Sequence, residues 1–130
     1  MPKKTEVVQA PQKAIRIDIP IYRQEIIAST CPDGIMKYIK RVFKGDHALY
    51  DHVDEILHTT HGCYIELNDM TGQSIVLLMA PNIPTLCHEA IHAAWGILDK
   101  AGVKCEVENH EQLAYLAGHI VEVFLKKIKL

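Results

Sequence analysis

Leu86-Cys87-His88-Glu89-Ala90-Ile91-His92-Ala93-Ala94-Trp95 is the stretch around which the rest of the chain is best understood. On a helix, His88 and His92 stand one turn apart on one face, so both imidazoles can reach one metal ion. Glu89 then lies beside the open coordination position, where it can take a proton from water. The surroundings suit a helix. Ser74 to Ala80 (SIVLLMA) is an apolar run of strand length, Pro81 to Thr85 (PNIPT) is a turn-rich connector, and Leu86 to Ala101 has helical periodicity. His88, His92, Trp95 and Asp99 form one stripe, while Leu86, Ala90, Ala93, Ala94, Ile97 and Ala101 cover much of the remaining surface. That pattern predicts a buried central helix, with Gly102 just past its end as a left-handed terminator. The competing explanation is a pair of core histidines satisfied by backbone carbonyls.

A catalytic zinc takes three protein ligands and one water, so a further His, Asp or Glu is expected nearby. Downstream, Asn109 and Gln112 have the spacing of a capping pair, and Leu113, Leu116, Ala117, Ile120, Phe124 and Ile128 give a second helix its apolar side. Lys126, Lys127 and Lys129 near its end suit the negative pole of the helix dipole. Glu111, Tyr115 and His119 recur along one side of it, with Gly118 beside them. This polar stripe is expected to face the histidine helix, with Glu111 as third ligand and Tyr115 or His119 as donors to the transition state. A half-buried aromatic and a surface imidazole are the plain alternatives for those two. His110 is a rival ligand; because adjacent helical residues diverge by about 100°, only one of His110 and Glu111 can point at the metal. Glu106 and Glu108 in the connector are further candidates.

The segments CHEAIHAAW and NHEQLAYLAGHI resemble the gluzincin branch of zincin metallopeptidases, and most closely its compact ImmA/IrrE-type members and small HExxH proteins of bacteriophages and bacteria. The resemblance covers about residues 74 to 125. It implies Zn2+ as cofactor, His88, His92 and Glu111 as ligands, Glu89 as general base, and a peptide or protein substrate. Where a metzincin would have its glycine and third histidine, this chain has Trp95 and Leu98. Tyr115 stands where a gluzincin often has an aspartate one turn after its ligand glutamate. In zincins the strand at the open sheet edge commonly pairs with an extended peptide, a role that Cys63 to Leu67 or Ser74 to Leu78 would fill here.

Composition sets the bounds. A chain of 130 residues with 48% hydrophobic residues supports one domain with a real core. A net charge of -2 does not recommend nucleic acid as a main partner. Met1 to Ala14 lacks the apolar region of a secretory signal and no run approaches a membrane span, so the expected location is cytoplasmic, with no membrane partner. Cys31, Cys63, Cys87 and Cys105 show no CxxC spacing and are expected as buried free thiols. Cys87, about 100° round the helix from His88, is expected in the core.

Residues 1 to 13 are expected as a flexible leader and 14 to 130 as one zincin-like metal-binding domain. Ala14 to Ser29 predicts a strand, or two short strands around Pro20; Asp33 to Phe43 and His47 to Leu57 predict helices. Gly62 to Leu67 and Gln73 to Ala80 flank a hairpin turn at Asn68 to Gly72. The order predicts an α+β fold: a small mixed sheet packed on a buried HExxH helix, with a second C-terminal helix. His58 and His61 form a second HxxH, following His47 and His52, without an acid or thiol at ligand spacing. They read as solvated loop histidines, one of which could line the cleft and donate to an oxyanion. The expected function is zinc-dependent peptide hydrolysis. Alternatives are a metal-stabilised interaction protein, such as a phage accessory or counter-defence factor, and a zinc amidase acting on cell-wall or small amide substrates.

Overall fold

The computed structural model describes residues 13–68 and 74–130; the leader expected at residues 1–13, apart from Lys13, and most of the hairpin turn lie outside them. The first strand, β1 (Ile15–Ile19), passes through a single 3-10 turn at Pro20–Tyr22 into β2 (Gln24–Ser29). Proline at the first turn positions and Arg23 in the left-handed region at φ 53° make the reversal. The two strands around Pro20 are thus separate and antiparallel, Ile17 facing Ile26. Two helices follow, α1 (Pro32–Val42) and α2 (His47–Thr59), then the antiparallel hairpin β3 (Cys63–Asn68) and β4 (Ser74–Met79). The chain closes with α3 (Ile83–Lys100) and α4 (Glu111–Lys127).

The sheet order is β1-β2-β4-β3, with β2 and β4 parallel and both outer pairs antiparallel. Because side chains alternate across a strand, β2 and β4 feed two cores. Ile26, Ala28, Val76 and Leu78 pack with Leu86, Ala90, Ala94, Leu98, Ile120 and Phe124 of α3 and α4. Ile27, Ile75, Leu77 and Met79 pack with Ile35, Ile39, Val53 and Leu57 of α1 and α2. Helices on both faces explain why this strand is buried at every position and apolar from Ile75 to Met79; Ser74, at its start, is buried with its hydroxyl donating to Gln24 Oε1 at 2.8 Å. The fold is α+β, a small mixed sheet between two helix pairs. Of the two candidate edges, β3 is the free one; β4 is interior. Among the described residues no helix is long and apolar enough to cross a membrane.

α3 begins earlier than its apolar period suggests. Asn82 caps it, its side-chain oxygen accepting from the Thr85 amide at 2.9 Å, and Pro84 sits in the first turn where no amide is needed. Gly102, at φ 81°, ends it as expected, and the Val103 amide returns to Leu98 at 2.8 Å. The helix is not buried all round. Ile83, Cys87, His88, Ile91, His92, Trp95 and Asp99 form an exposed face, so Cys87 lies outside the core. At the α4 start, His110 occupies the cap position without a side-chain cap bond, while Asn109 donates instead to the Lys104 carbonyl at 2.9 Å.

Candidate metal centre

His88, Glu89 and His92 leave the first half of α3 in two directions. The imidazoles point outward, the His88 side chain 68% exposed, while Glu89 turns under the β3 edge and is 8% exposed as a residue. The His88 and His92 rings meet edge to face with centroids 4.9 Å apart, bringing Nε2 to Nε2 at 3.3 Å. That is long for a hydrogen bond between ring nitrogens. It matches the edge of a tetrahedron with metal–nitrogen bonds of 2.0–2.1 Å, about 3.3–3.4 Å. The donor set therefore fits two corners of a zinc site. Glu89 Oε2 lies 3.9 Å from His88 Nε2, beyond hydrogen-bond range, so the carboxylate does not compete for that nitrogen.

Glu89 is held by close packing. A Cβ placed on Gly62 would collide with the Thr85 methyl, lie 3.0 Å from the Met79 carbonyl oxygen and 3.4 Å from Glu89 Cγ. Only glycine lets the entry to β3 pass this near α3. The next residue, Cys63, is buried beside the carboxylate; burial, and after it the Glu89 charge, pushes its thiol up to about 11, against hydrogen bonds from Thr60 and Met79 that lower it. Further along, the Tyr64 hydroxyl abuts Gly96. Burial raises its pKa, with Glu66 and Asp99 adding to the rise. Lys100 ties the far end of α3 to β3 through Glu66 at 3.0 Å and Asn68 at 3.2 Å.

A cleft of about 340 Å³ opens at the histidine end, walled by His61, Gly62, Pro84, Thr85, His88 and Glu89. His61 belongs to the second HxxH, and the fold brings it, unlike His47, His52 or His58, to the motif helix. His58 instead pairs with Asp54, Nδ1 to Oδ1 at 3.1 Å. The signal in the sequence was indirect: a glycine directly after His61, before a strand, marks a close approach of backbone to a neighbour.

The stripe on α4 goes elsewhere. Leu116, Ile120 and Phe124 are buried, with Leu113, Ala117 and Val121 packed beside them, and this apolar set decides which side of α4 meets the sheet and α3. Glu111, Tyr115, Gly118 and His119 consequently face solvent, Tyr115 at 76% exposure. Distance separates them too. The α4 start lies by Ile19, at the sheet end where β4 begins, whereas the cleft lies by Met79, where β4 finishes. Tyr115 and His119 line a second, mostly apolar cleft of about 310 Å³ with Ile19, Pro20, Tyr22 and Leu116. Among the described residues no three His, Cys, Asp or Glu side chains gather at metal-holding distance, so the fold does not bring Glu111 or His110 to His88 and His92.

Compared with known proteins, the chain matches no protein-family model, no curated protein and no solved structure.

Proposed function

We propose that this chain is a zinc-dependent hydrolase of peptide bonds, a compact relative of the gluzincins, in which His88 and His92 hold the metal and Glu89 is the general base. The observation that carries the reading is the 3.3 Å approach of the two Nε2 atoms beside a carboxylate that is buried yet open to a cleft. When bound, zinc supplies Lewis acidity, polarising the scissile carbonyl and making water a stronger acid. Glu89 does the proton work: it accepts a proton as the water oxygen bonds to the carbonyl carbon, and returns it to the departing amine as the C–N bond breaks. Its burial under Gly62 restricts the side chain and keeps bulk water from one side of it. Tyr115 and His119, exposed in the single chain, take no part in this proton transfer.

The test is metal content. Purified protein should carry about one zinc per chain, lost in His88→Ala and in His92→Ala, with chelation abolishing any peptide hydrolysis. Zinc retained by both variants would remove the basis of the proposal.

A second reading draws on Ile91 and Trp95, 47% and 50% exposed on the same helical face as the histidines. Apolar surface of that kind favours a partner protein, with the metal stabilising the fold rather than turning over substrate. It predicts that a variant lacking the base keeps its biological effect.

A further inference from the structure

Two imidazoles are one ligand short of a catalytic zinc site. Among the described residues, the missing donor has to come from a side chain that the fold places near the cleft and leaves free to move. His110 and Glu111 start α4 at the opposite end of the sheet, and Asp99 is two turns further along α3. His58 is engaged by Asp54 and by its carbonyl. Cys87 sits on α3 itself, about 100° away from His88.

His61 meets both conditions. It walls the same cleft as His88 and Glu89, and it is exposed, on the bend between α2 and β3, without a hydrogen bond or ion pair to the described residues. Its backbone is nevertheless anchored, because Gly62 is packed against Thr85 and the Glu89 stem. The imidazole thus swings from a fixed point at the cleft wall. Resting on the zinc-hydrolase reading above, we propose that His61 is the third protein ligand, completing a three-histidine site with His88 and His92.

In the structure the three donors do not yet converge; rotation of an unrestrained side chain, with adjustment of the exposed bend, brings the third in. Metal binding would then clip the α2–β3 bend to α3 and fix the cleft that Glu89 faces. Three neutral imidazoles also leave the full dipositive charge of the ion uncompensated, which favours substrates presenting a carbonyl or anionic oxygen to the cleft over cationic ones.

Zinc titration of the full chain tests the assignment, comparing wild type with His61→Ala, His61→Asp and Glu111→Ala, each checked for its helical circular dichroism. Loss of one of three ligands should weaken zinc binding about a hundredfold or more in His61→Ala. His61→Asp, which restores a donor, should recover much of it, and Glu111→Ala should bind like wild type. With cobalt substituted for zinc, the visible absorption of the wild type should change in band position and intensity in His61→Ala. Wild-type affinity and an unchanged cobalt spectrum in a folded His61→Ala protein would overturn the assignment. So would loss of metal in Glu111→Ala alone. If His88→Ala and His92→Ala lose zinc while His61→Ala keeps it, only the third ligand is wrong; if the wild type binds no zinc, the hydrolase reading falls as well.

Discussion

Cys63 and Cys87 show how position in the fold, rather than residue type, sets side-chain chemistry. The Cys63 thiol is buried against Glu89 and raised to about 11, so little of it is thiolate near neutrality, about one part in a thousand at pH 8. The sign of the shift means that reactivity climbs as pH rises towards that value. Cys87 is exposed on α3. Native protein treated with an alkylating reagent at pH 8 should be labelled at Cys87 first and at Cys63 at least about a hundredfold more slowly, read by peptide mass spectrometry. Equal labelling would contradict the burial of the Glu89 side of α3. All four cysteines are free, as isolated spacing implied, but of the four expected in the core Cys63 is buried, Cys31 and Cys105 are half-buried and Cys87 is exposed. The proximity of His88 to His92 was legible because helical periodicity alone creates it. That one loop histidine could line the cleft was legible; that it is His61 was not, since its approach depends on how a bend packs against a helix distant in sequence.

α4 was legible as a helix and misleading as a face. Its apolar set recurs at helical spacing and is buried as that spacing implies, yet a polar stripe beside it says nothing about whether it meets a neighbour or water. Truncation separates the two sides. Phe124→Ala, at a fully buried position, should cost about 3–5 kcal/mol of unfolding free energy, whereas Tyr115→Ala should stay within about 0.5 kcal/mol. Chemical denaturation measures both, and a large loss from Tyr115→Ala would mean that the residue is packed in solution. Glycines give a paired test of how closely the elements approach. Gly62→Ala forces the β3 entry away from α3 and should cost about 1–3 kcal/mol as well as activity. Gly118→Ala, whose Cβ meets nothing within 4 Å in mid-helix, should stabilise by about 0.5–1 kcal/mol. The α3 start is hidden in the sequence because Pro81, Asn82 and Pro84 give the segment turn-like composition, which a capped first turn accommodates.

Across the whole molecule, a mixed sheet sandwiched by helix pairs places one end of α3 beside the free edge strand, and the polar cleft forms at that junction. The strand order, with β4 interior and β3 at the edge, follows from packing Ile75 to Met79 on both faces, which this apolar run permits but does not dictate. The claim that most needs testing is that this cleft hydrolyses amide bonds through Glu89. The direct measurement is zinc-dependent cleavage of a peptide library by wild type and Glu89→Gln, with metal content and melting temperature determined on the same preparations. The account predicts equal zinc, little change in melting temperature, and a loss of hydrolysis of at least about two powers of ten. A Glu89→Gln protein that holds zinc and cleaves as well as wild type would contradict it.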